Sequence, residues 1–144
     1  MPRLRLTLPT LPFHSLIRVQ IQDINYGNHL SNGALLNLLH ELRVRWLSAG
    51  GFSEMDLGGC GMILADVAIQ FRAEAFYADE LEGSLGVSEL DQYGCVLQYR
   101  LRRCQDQQEI ALAQSSILAF DYQSRGKAPL PPAFAAYCRQ FQTD

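Results

Sequence analysis

One change of hydrophobic period constrains the fold of this chain more than any other feature. Between Asn32 and Ala49 the large apolar residues fall on one stripe with helical spacing, which is typical of a helix packed against a sheet. The pair Gly50-Gly51 then ends the helix. On both sides of it, apolar and polar residues alternate as they do in β-strands. We therefore predict an α+β fold in which one long antiparallel sheet wraps around one helix.

The alternating segments give the expected strands. Two precede the helix, Leu4–Leu8 and Ile17–Ile21, with prolines between them, and about four long antiparallel strands follow it. The last of these, from Ile110 to Tyr122, is apolar or small on both faces and is predicted to be central. A short helical turn is expected near Ser53 and a C-terminal helix over residues 133–141. The sheet face opposite the long helix is expected to be covered by a second subunit.

Length and composition limit the function classes. The 144 residues suit a single domain spanning 1–144, and 48% hydrophobic residues are enough for a core. A net charge of −3 argues against nucleic-acid binding. No apolar run approaches the roughly 20 residues that cross a bilayer, and the N-terminus does not resemble a signal peptide, so we expect a cytoplasmic protein without membrane contact. The four cysteines lack metal-ligand spacing, which predicts free thiols and no metal site.

The segment Asp23-Ile-Asn-Tyr-Gly-Asn-His-Leu-Ser-Asn32 leads directly into the helix that carries Glu41. It gathers a carboxylate, an imidazole and several amides at a helix start. A helix start offers unpaired backbone N–H groups and a partial positive charge. Polar groups in such a place can hold and polarise a carbonyl, so this segment is the candidate site.

This motif resembles that of the hotdog-fold acyl thioesterases, in the hydroxybenzoyl-CoA thioesterase-like branch. Members typically read D-x-D-x-x-G-H-V-N-N before the helix and E-x-A-R within it. The matching positions here are Asp23, Asn25, His29, Leu30, Asn32, Glu41 and Arg43. The resemblance implies a hotdog fold and hydrolysis of acyl-CoA, in preference to acyl-carrier protein, without a cofactor. It also implies a homodimer or homotetramer with the site at the dimer interface.

The chain departs from the family pattern at one position that matters for chemistry. Asn25 stands where the family's second aspartate, often the catalytic carboxylate, is found. An amide is neither a nucleophile nor a general base, so a mechanism centred on that aspartate is excluded. Some thioesterases of this fold, including plant acyl-carrier-protein thioesterases, use an Asn/His/acid set in this region, and this chain is closer to that arrangement.

The expected catalytic set is Asn25, His29, Glu41 and Asp23. His29 is expected to act as the general base or to orient a water, because imidazole titrates near neutral pH. Asn25 would hold that water or the thioester, and Glu41 would serve as base or fix His29, from the same chain or a neighbouring one. Residues expected to contact substrate are Leu30, Ser31, Asn32, Gly33 and Met62, with backbone N–H groups of the helix start stabilising the oxyanion.

Simpler explanations exist for two of these residues. Glu41 and Arg45 are spaced i,i+4 and can form a surface ion pair. Asp23, like Asn28, is an ordinary turn and capping residue, and this role is favoured for both over direct catalysis. Two other functions also fit the fold: an acyl-CoA or acyl-carrier-protein binding protein without turnover and, less favoured, a hotdog dehydratase.

Overall fold

The computed structural model describes residues 2–143, which form one sheet with a long and a short helix. A single 3-10 turn precedes the long helix. In chain order the elements are β1 (Phe13–Arg18), the 3-10 turn (Ile21–Asp23), α1 (Asn32–Ala49), β2 (Gly61–Phe71), β3 (Glu80–Ser88), β4 (Gly94–Arg103), β5 (Glu109–Asp121), β6 (Gly126–Lys127) and α2 (Pro132–Gln140).

The sheet is antiparallel throughout, in the order β1-β3-β4-β5-β2, with β6 paired to the end of β5. The helix α1 packs across one face, where Leu42 and Trp46 join Leu97 and Leu101 of β4 in a fully buried core. β5 lies inside the sheet, as its composition predicted, whereas β2 is an edge strand. The α+β arrangement of an antiparallel sheet with a long helix is confirmed.

The long helix begins and ends where the period predicted. Ser31 caps its start, because the Ser31 hydroxyl oxygen accepts a hydrogen bond of 3.1 Å from the backbone N–H of Ala34. At the other end, the backbone N–H of Gly50 donates to the carbonyl oxygen of Leu47. Both helix boundaries therefore follow from local chemistry that is visible in the sequence.

A β-bulge changes the predicted alternation of β2. The strand pairing shifts between Leu64 and Asp66, so Ala65 is the extra residue. The face of β2 toward α1 consequently carries Leu64, Val67 and Phe71. Leu64 and Val67 are an odd number of residues apart, so they would lie on opposite faces of a regular strand. All three side chains are about half exposed along this edge.

The prediction of strands at Leu4–Leu8 and Ile17–Ile21 was partly wrong. Residues 2–12 form an extended arm without regular structure, and β1 spans only Phe13–Arg18. After β1 the chain enters the 3-10 turn, which begins at Ile21, and the Ile21 side chain is exposed. The helical turn expected near Ser53 is also absent from the described chain, where Ser53 instead forms a β-bridge to Asp56.

The N-terminal arm covers part of the sheet face opposite α1. Leu11 is fully buried there, Arg100 of β4 donates to two arm carbonyl oxygens, and the Leu6 N–H donates to the Gln70 side chain of β2. Arg100 and Gln70 alternate with residues that face the helix, so they point to the opposite side. The arm thus covers part of the face for which the sequence analysis expected a second subunit.

Candidate functional site

The motif before α1 folds into a tight loop that brings Asn25 and His29 together. The Asn25 N–H donates to the His29 carbonyl oxygen over 3.1 Å, and the Asn25 carbonyl oxygen accepts from the Asn28 N–H over 3.1 Å. Asn28 has a φ of 62°, a conformation that asparagine tolerates better than most residues. The loop then joins the segment after β2, because the Leu30 N–H donates to the Ala75 carbonyl oxygen over 2.7 Å.

Hydrogen bonding fixes the tautomer of the His29 imidazole. Its Nδ1 lies 3.0 Å from the carbonyl oxygen of Leu30. A carbonyl oxygen only accepts hydrogen bonds, so Nδ1 carries the proton and Nε2 of the neutral ring is an acceptor. The side chain is 30% exposed. The free lone pair of His29 is therefore available to take a proton from a group outside the loop.

His29 lines a cavity of about 240 Å³ between the start of α1 and the end of β2. Leu30 and Leu35 supply part of its apolar wall, and Ser31 and Asn32 supply the helix start. The first helical N–H groups have no intrahelical acceptor. The remaining lining residues are Phe71, Arg72, Ala73, Glu74, Ala75 and Ile110. We call this space the helix-start cavity.

Glu74 is a candidate site residue that the sequence analysis missed. Its Oε1 lies 4.0 Å from Nε2 of His29, and the carboxylate is 63% exposed. The two residues are 45 positions apart in the sequence, and only the pairing of Leu30 with Ala75 brings them together. The available signal was a single acidic residue directly after an alternating strand, which does not indicate a partner.

Gly27 lies between the two side chains of the motif. A Cβ atom at this position would lie 3.0 Å from Nε2 of His29 and 3.4 Å from Oδ1 of Asn25. Asn25 Oδ1 also accepts a hydrogen bond of 3.0 Å from the Gly27 N–H. The missing side chain at Gly27 therefore leaves the space in which the amide and the imidazole approach each other.

Asp23 stabilises the loop. It is buried, its Oδ2 accepts a hydrogen bond of 2.7 Å from the Gln20 N–H, and its carbonyl oxygen accepts from the Ser31 N–H. It does not line the helix-start cavity. This geometry agrees with the turn role that the sequence analysis favoured for Asp23.

Glu41 lies on a different side of α1 from His29. Its Oε2 accepts a hydrogen bond of 2.9 Å from Nε of Arg45, which also donates to the Ser15 hydroxyl. Glu41 lines another cavity, beside β1, that includes Arg18 and Asp23. Within one chain, the fold therefore does not bring Glu41 to the imidazole, and the predicted surface ion pair is present.

Met62, which was expected to line the acyl site, does not line the helix-start cavity. It is 4% exposed and pairs with Ala119 near the start of β2, whereas the helix-start cavity lies at the end of that strand. Met62 therefore belongs to the core of this chain. Of the predicted apolar lining, Leu30 and Leu35 are in place.

A second polar cluster lies farther along α1. Nε2 of His40 is 2.6 Å from Oε1 of Glu54, and Nε of Arg43 donates to Oε2 of the same carboxylate over 3.0 Å. Arg43 Nη1 donates to the hydroxyl of Tyr99, which lies 2.6 Å from the Ser115 hydroxyl. Burial by itself raises the pKa of Glu54, but hydrogen bonds from His40 and Arg43 outweigh it, so the pKa lies below its ordinary value.

Residues 2–143 contain no group of three or more His, Cys, Asp and Glu side chains arranged to hold a metal ion. The described helices are each too short or too polar to cross a bilayer. The four cysteines are free thiols, two of them buried.

Comparison with known families decides the identity of the fold. The family model of the thioesterase-like superfamily matches residues 19–137, which include the motif loop, α1 and every strand of the sheet except β1. The chain belongs to the thioesterase-like superfamily. The predicted resemblance and the hotdog fold are confirmed, and membership of this family supports a thioester hydrolase. No curated protein matched the chain.

Solved structures of thioesterases share the fold. A 1,4-dihydroxy-2-naphthoyl-CoA thioesterase from Synechocystis has a TM-score of 0.82 at 22% identity, covering 92% of this chain and 98% of its own. A gentisyl-coenzyme A thioesterase has a TM-score of 0.76 at 16% identity, covering 87% and 98%. The probable thioesterase YbaW from Escherichia coli has a TM-score of 0.71 at 16% identity, covering 90% and 98%.

Proposed function

We propose that this protein hydrolyses acyl-CoA thioesters in the helix-start cavity. The observation that carries the proposal is the position of His29 Nε2, which lies 4.0 Å from Glu74 Oε1 in a cavity that Ser31 and Asn32 of the helix start also line. Thioester hydrolysis needs an activated water and donors for the oxyanion. The helix-start cavity offers residues suited to both requirements, which supports the proposal.

His29 and Glu74 together are suited to hold the attacking water. In the neutral ring Nε2 is an acceptor, as is the ionised carboxylate, so a water between them can donate one hydrogen to each. As the water oxygen attacks the thioester carbon, its proton moves to Nε2. The Glu74 carboxylate then stabilises the imidazolium, and the proton passes to the departing thiolate.

The helix start is suited to stabilise the oxyanion, and Asn25 of the adjoining loop, which does not itself line the cavity, is proposed to assist it. The N–H groups of Asn32 and Gly33 lie at the positive end of α1 and have no acceptor within the helix. A Cβ at Gly33 would meet no atom within 4 Å, so substrate has room to approach the backbone. The Asn25 amide nitrogen is a further donor, because the Gly27 N–H occupies the oxygen. Asp23 is proposed to position this loop.

Glu41 enters this scheme only from another subunit. In its own chain Glu41 pairs with Arg45 away from His29, so a role as base or nucleophile requires the helix of a partner. The single-chain geometry instead favours Glu74 as the carboxylate that supports His29.

A homodimer is proposed through the free edge of β2 and the neighbouring face of α1. β2 is an 11-residue edge strand without Pro, and such edges normally have to be paired or covered. Exposed apolar side chains lie along it and along the helix, where a partner would bury them. They are Leu36, Val44, Leu64, Val67 and Phe71. Two such dimers could associate further as a tetramer.

Coenzyme A and an aromatic acyl group are the proposed substrate features. Two thioesterases that share the fold act, by their names, on 1,4-dihydroxy-2-naphthoyl-CoA and gentisyl-CoA. The cavity wall formed by Leu30, Leu35, Phe71 and Ile110 is apolar and accommodates either a ring or an alkyl chain. Free thiols throughout the described chain agree with a reducing cytoplasm, which we also propose.

The test is release of free thiol from aliphatic and aromatic acyl-CoAs. His29→Ala is expected to lower kcat by about 100-fold or more, because general base catalysis is lost. His14→Ala is the matched control, since His14 lies on β1 and contacts Ser84 instead. Blanks must correct for the partly exposed Cys60 and Cys104. Acyl-CoA binding without thiol release from any substrate would contradict the proposal and favour a binding protein.

A further inference from the structure

The N-terminal arm forms a second cavity next to the proposed active site. Arg3 and Leu4 of the arm, together with Ile69, Gln70, Phe71 and Arg72 of β2 and its end, line a space of about 410 Å³. Phe71 and Arg72 line the helix-start cavity as well. The two spaces therefore share a wall where the chain leaves β2. We call the second space the arm cavity.

The arm is held in this place by specific bonds. The Leu6 N–H donates to Gln70 Oε1 over 2.8 Å, which ties the arm to β2 directly beside the cavity. Arg100 donates through Nη2 to the Leu8 carbonyl oxygen over 3.1 Å and through Nη1 to that of Pro9 over 3.2 Å. Leu11 is fully buried. The position of Arg3 is therefore set by an anchored segment of the chain.

The arm cavity is positively charged in a protein whose net charge is −3. Two guanidinium groups, Arg3 and Arg72, line it, and no carboxylate is among its described lining residues. The nearest partner of Arg72 is Glu109, whose Oε2 lies 3.7 Å from Nη1. Glu109 is shared, because its Oε1 accepts a hydrogen bond of 3.0 Å from Arg100. Arg72 and Arg100 therefore share this one carboxylate.

Two other arginines, both on β4, are engaged elsewhere. Arg103 donates to Asp79 and Asp106, and Arg100 is occupied by the arm and Glu109. Arg3 has no ion pair or side-chain hydrogen bond among the described residues, and Arg72 is 43% exposed. Guanidinium groups bind phosphate oxygens through paired N–H donors. Arg3 and Arg72 of the arm cavity are therefore available to bind an anionic group of a substrate that occupies the neighbouring helix-start cavity.

We propose that Arg3 and Arg72 form a phosphate subsite for the carrier part of the thioester substrate. The inference rests on the proposed thioesterase function. With the acyl group in the helix-start cavity, the pantetheine chain of the substrate extends past Phe71. A phosphate group of the substrate then lies between the two arginines. That phosphate belongs either to the nucleotide of coenzyme A or to the phosphopantetheine that both coenzyme A and acyl-carrier protein contain.

The test compares Arg3→Gln with Arg5→Gln. Arg5 is an exposed arginine on the same arm that does not line the cavity, so the two variants change the net charge equally. Arg3→Gln is expected to raise the KM for an acyl-CoA by roughly threefold to tenfold, with kcat unchanged, because it removes uniform binding. The effect should shrink at high salt. Arg5→Gln is expected to leave KM near the wild-type value.

Truncated substrates identify the phosphate. The KM for an acyl-pantetheine, which has no phosphate, should be the same in wild type and Arg3→Gln. A KM increase with acyl-phosphopantetheine and with acyl-carrier protein assigns the subsite to the phosphopantetheine phosphate. An increase with acyl-CoA alone assigns it to the nucleotide. Equal behaviour of Arg3→Gln and Arg5→Gln on every substrate would overturn the subsite.

Failure of the subsite and failure of the proposed function give different results. If acyl-pantetheine and acyl-CoA are both hydrolysed and Arg3→Gln changes the KM of neither, the phosphate subsite is rejected. The proposed thioesterase function is then retained. If no thioester is hydrolysed, calorimetric binding of coenzyme A itself still decides the subsite. Weaker binding to Arg3→Gln than to Arg5→Gln supports the phosphate contact, and equal affinity rejects it.

Discussion

Nε2 of His29 lies 4.0 Å from Oε1 of Glu74, and the carboxylate comes from the segment after β2 rather than from the helix that carries Glu41. This distance is too long for a direct strong hydrogen bond and fits a bridging water. In the proposed mechanism the carboxylate that supports His29 is therefore a residue outside the motif. It also makes the role of Glu74 separable from that of Glu41.

Glu74→Gln should lower kcat by about tenfold, because the amide keeps the size of the side chain but cannot stabilise an imidazolium. The free energy of unfolding should change by less than about 0.5 kcal/mol, since the carboxylate is largely exposed. Steady-state kinetics and urea unfolding measure the two effects. Glu80→Gln, which removes an exposed partner of Arg18 on β3, is the control and should leave kcat unchanged. A Glu74→Gln variant with the kcat of the wild type would show that Glu74 has no role in the mechanism.

Gly27→Ala should reduce kcat without unfolding the protein. The added Cβ would lie 3.0 Å from His29 Nε2, which is tighter than ordinary contact, so the imidazole has to move from its place. Gly126→Ala is a matched control, because the nearest atom to its added Cβ is 3.9 Å away. Kinetics with a small acyl-CoA, together with an NMR titration of the His29 ring, would detect the displacement. Unchanged kcat in Gly27→Ala would show that the imidazole position is not critical.

The sequence predicted the helix closely because both of its ends carry local signals, a Ser31 cap and the Gly50-Gly51 stop. It failed where tertiary contacts decide the structure. The arm alternates like a strand, yet hydrogen bonds to Gln70 and Arg100 use its backbone in place of strand pairing.

The same limit applied to the site. Asn25 and His29 were recognisable because their positions match the family motif, and the loop brings them together locally. Whether Glu74 or Met62 lies near the site depended on which end of β2 approaches the helix start. The spacing of apolar residues along a strand does not indicate the direction of that strand. The bulge at Ala65 likewise changes which residues of β2 face the helix without leaving a mark in the hydrophobic pattern.

Glu54→Gln should remove part of the acid sensitivity of the fold. The pKa of Glu54 is lowered in the folded state from 4.5, so its ionised form stabilises the protein fully above that pH. This contribution is lost as the pH falls below 4.5 and through the folded-state pKa. The difference in unfolding free energy between wild type and Glu54→Gln should therefore shrink on acidification, as urea unfolding at a series of pH values would show. Glu82→Gln is the comparison, and a pH-independent difference would contradict the linkage.

Val67→Lys should shift the protein toward the monomer. Val67 lies midway along the β2 edge, faces α1 and is 42% exposed. A charge at this position costs little free energy in the isolated chain. In a dimer paired through β2 the charge would be buried, which is costly. Sedimentation equilibrium of wild type and variant measures the change, with Leu16→Lys on exposed β1 as the control. Activity measured on the resulting monomer then decides the role of Glu41. Loss of kcat together with the dimer supports a contribution from the partner helix, whereas a fully active monomer confines catalysis to His29, Glu74 and the helix start of one chain.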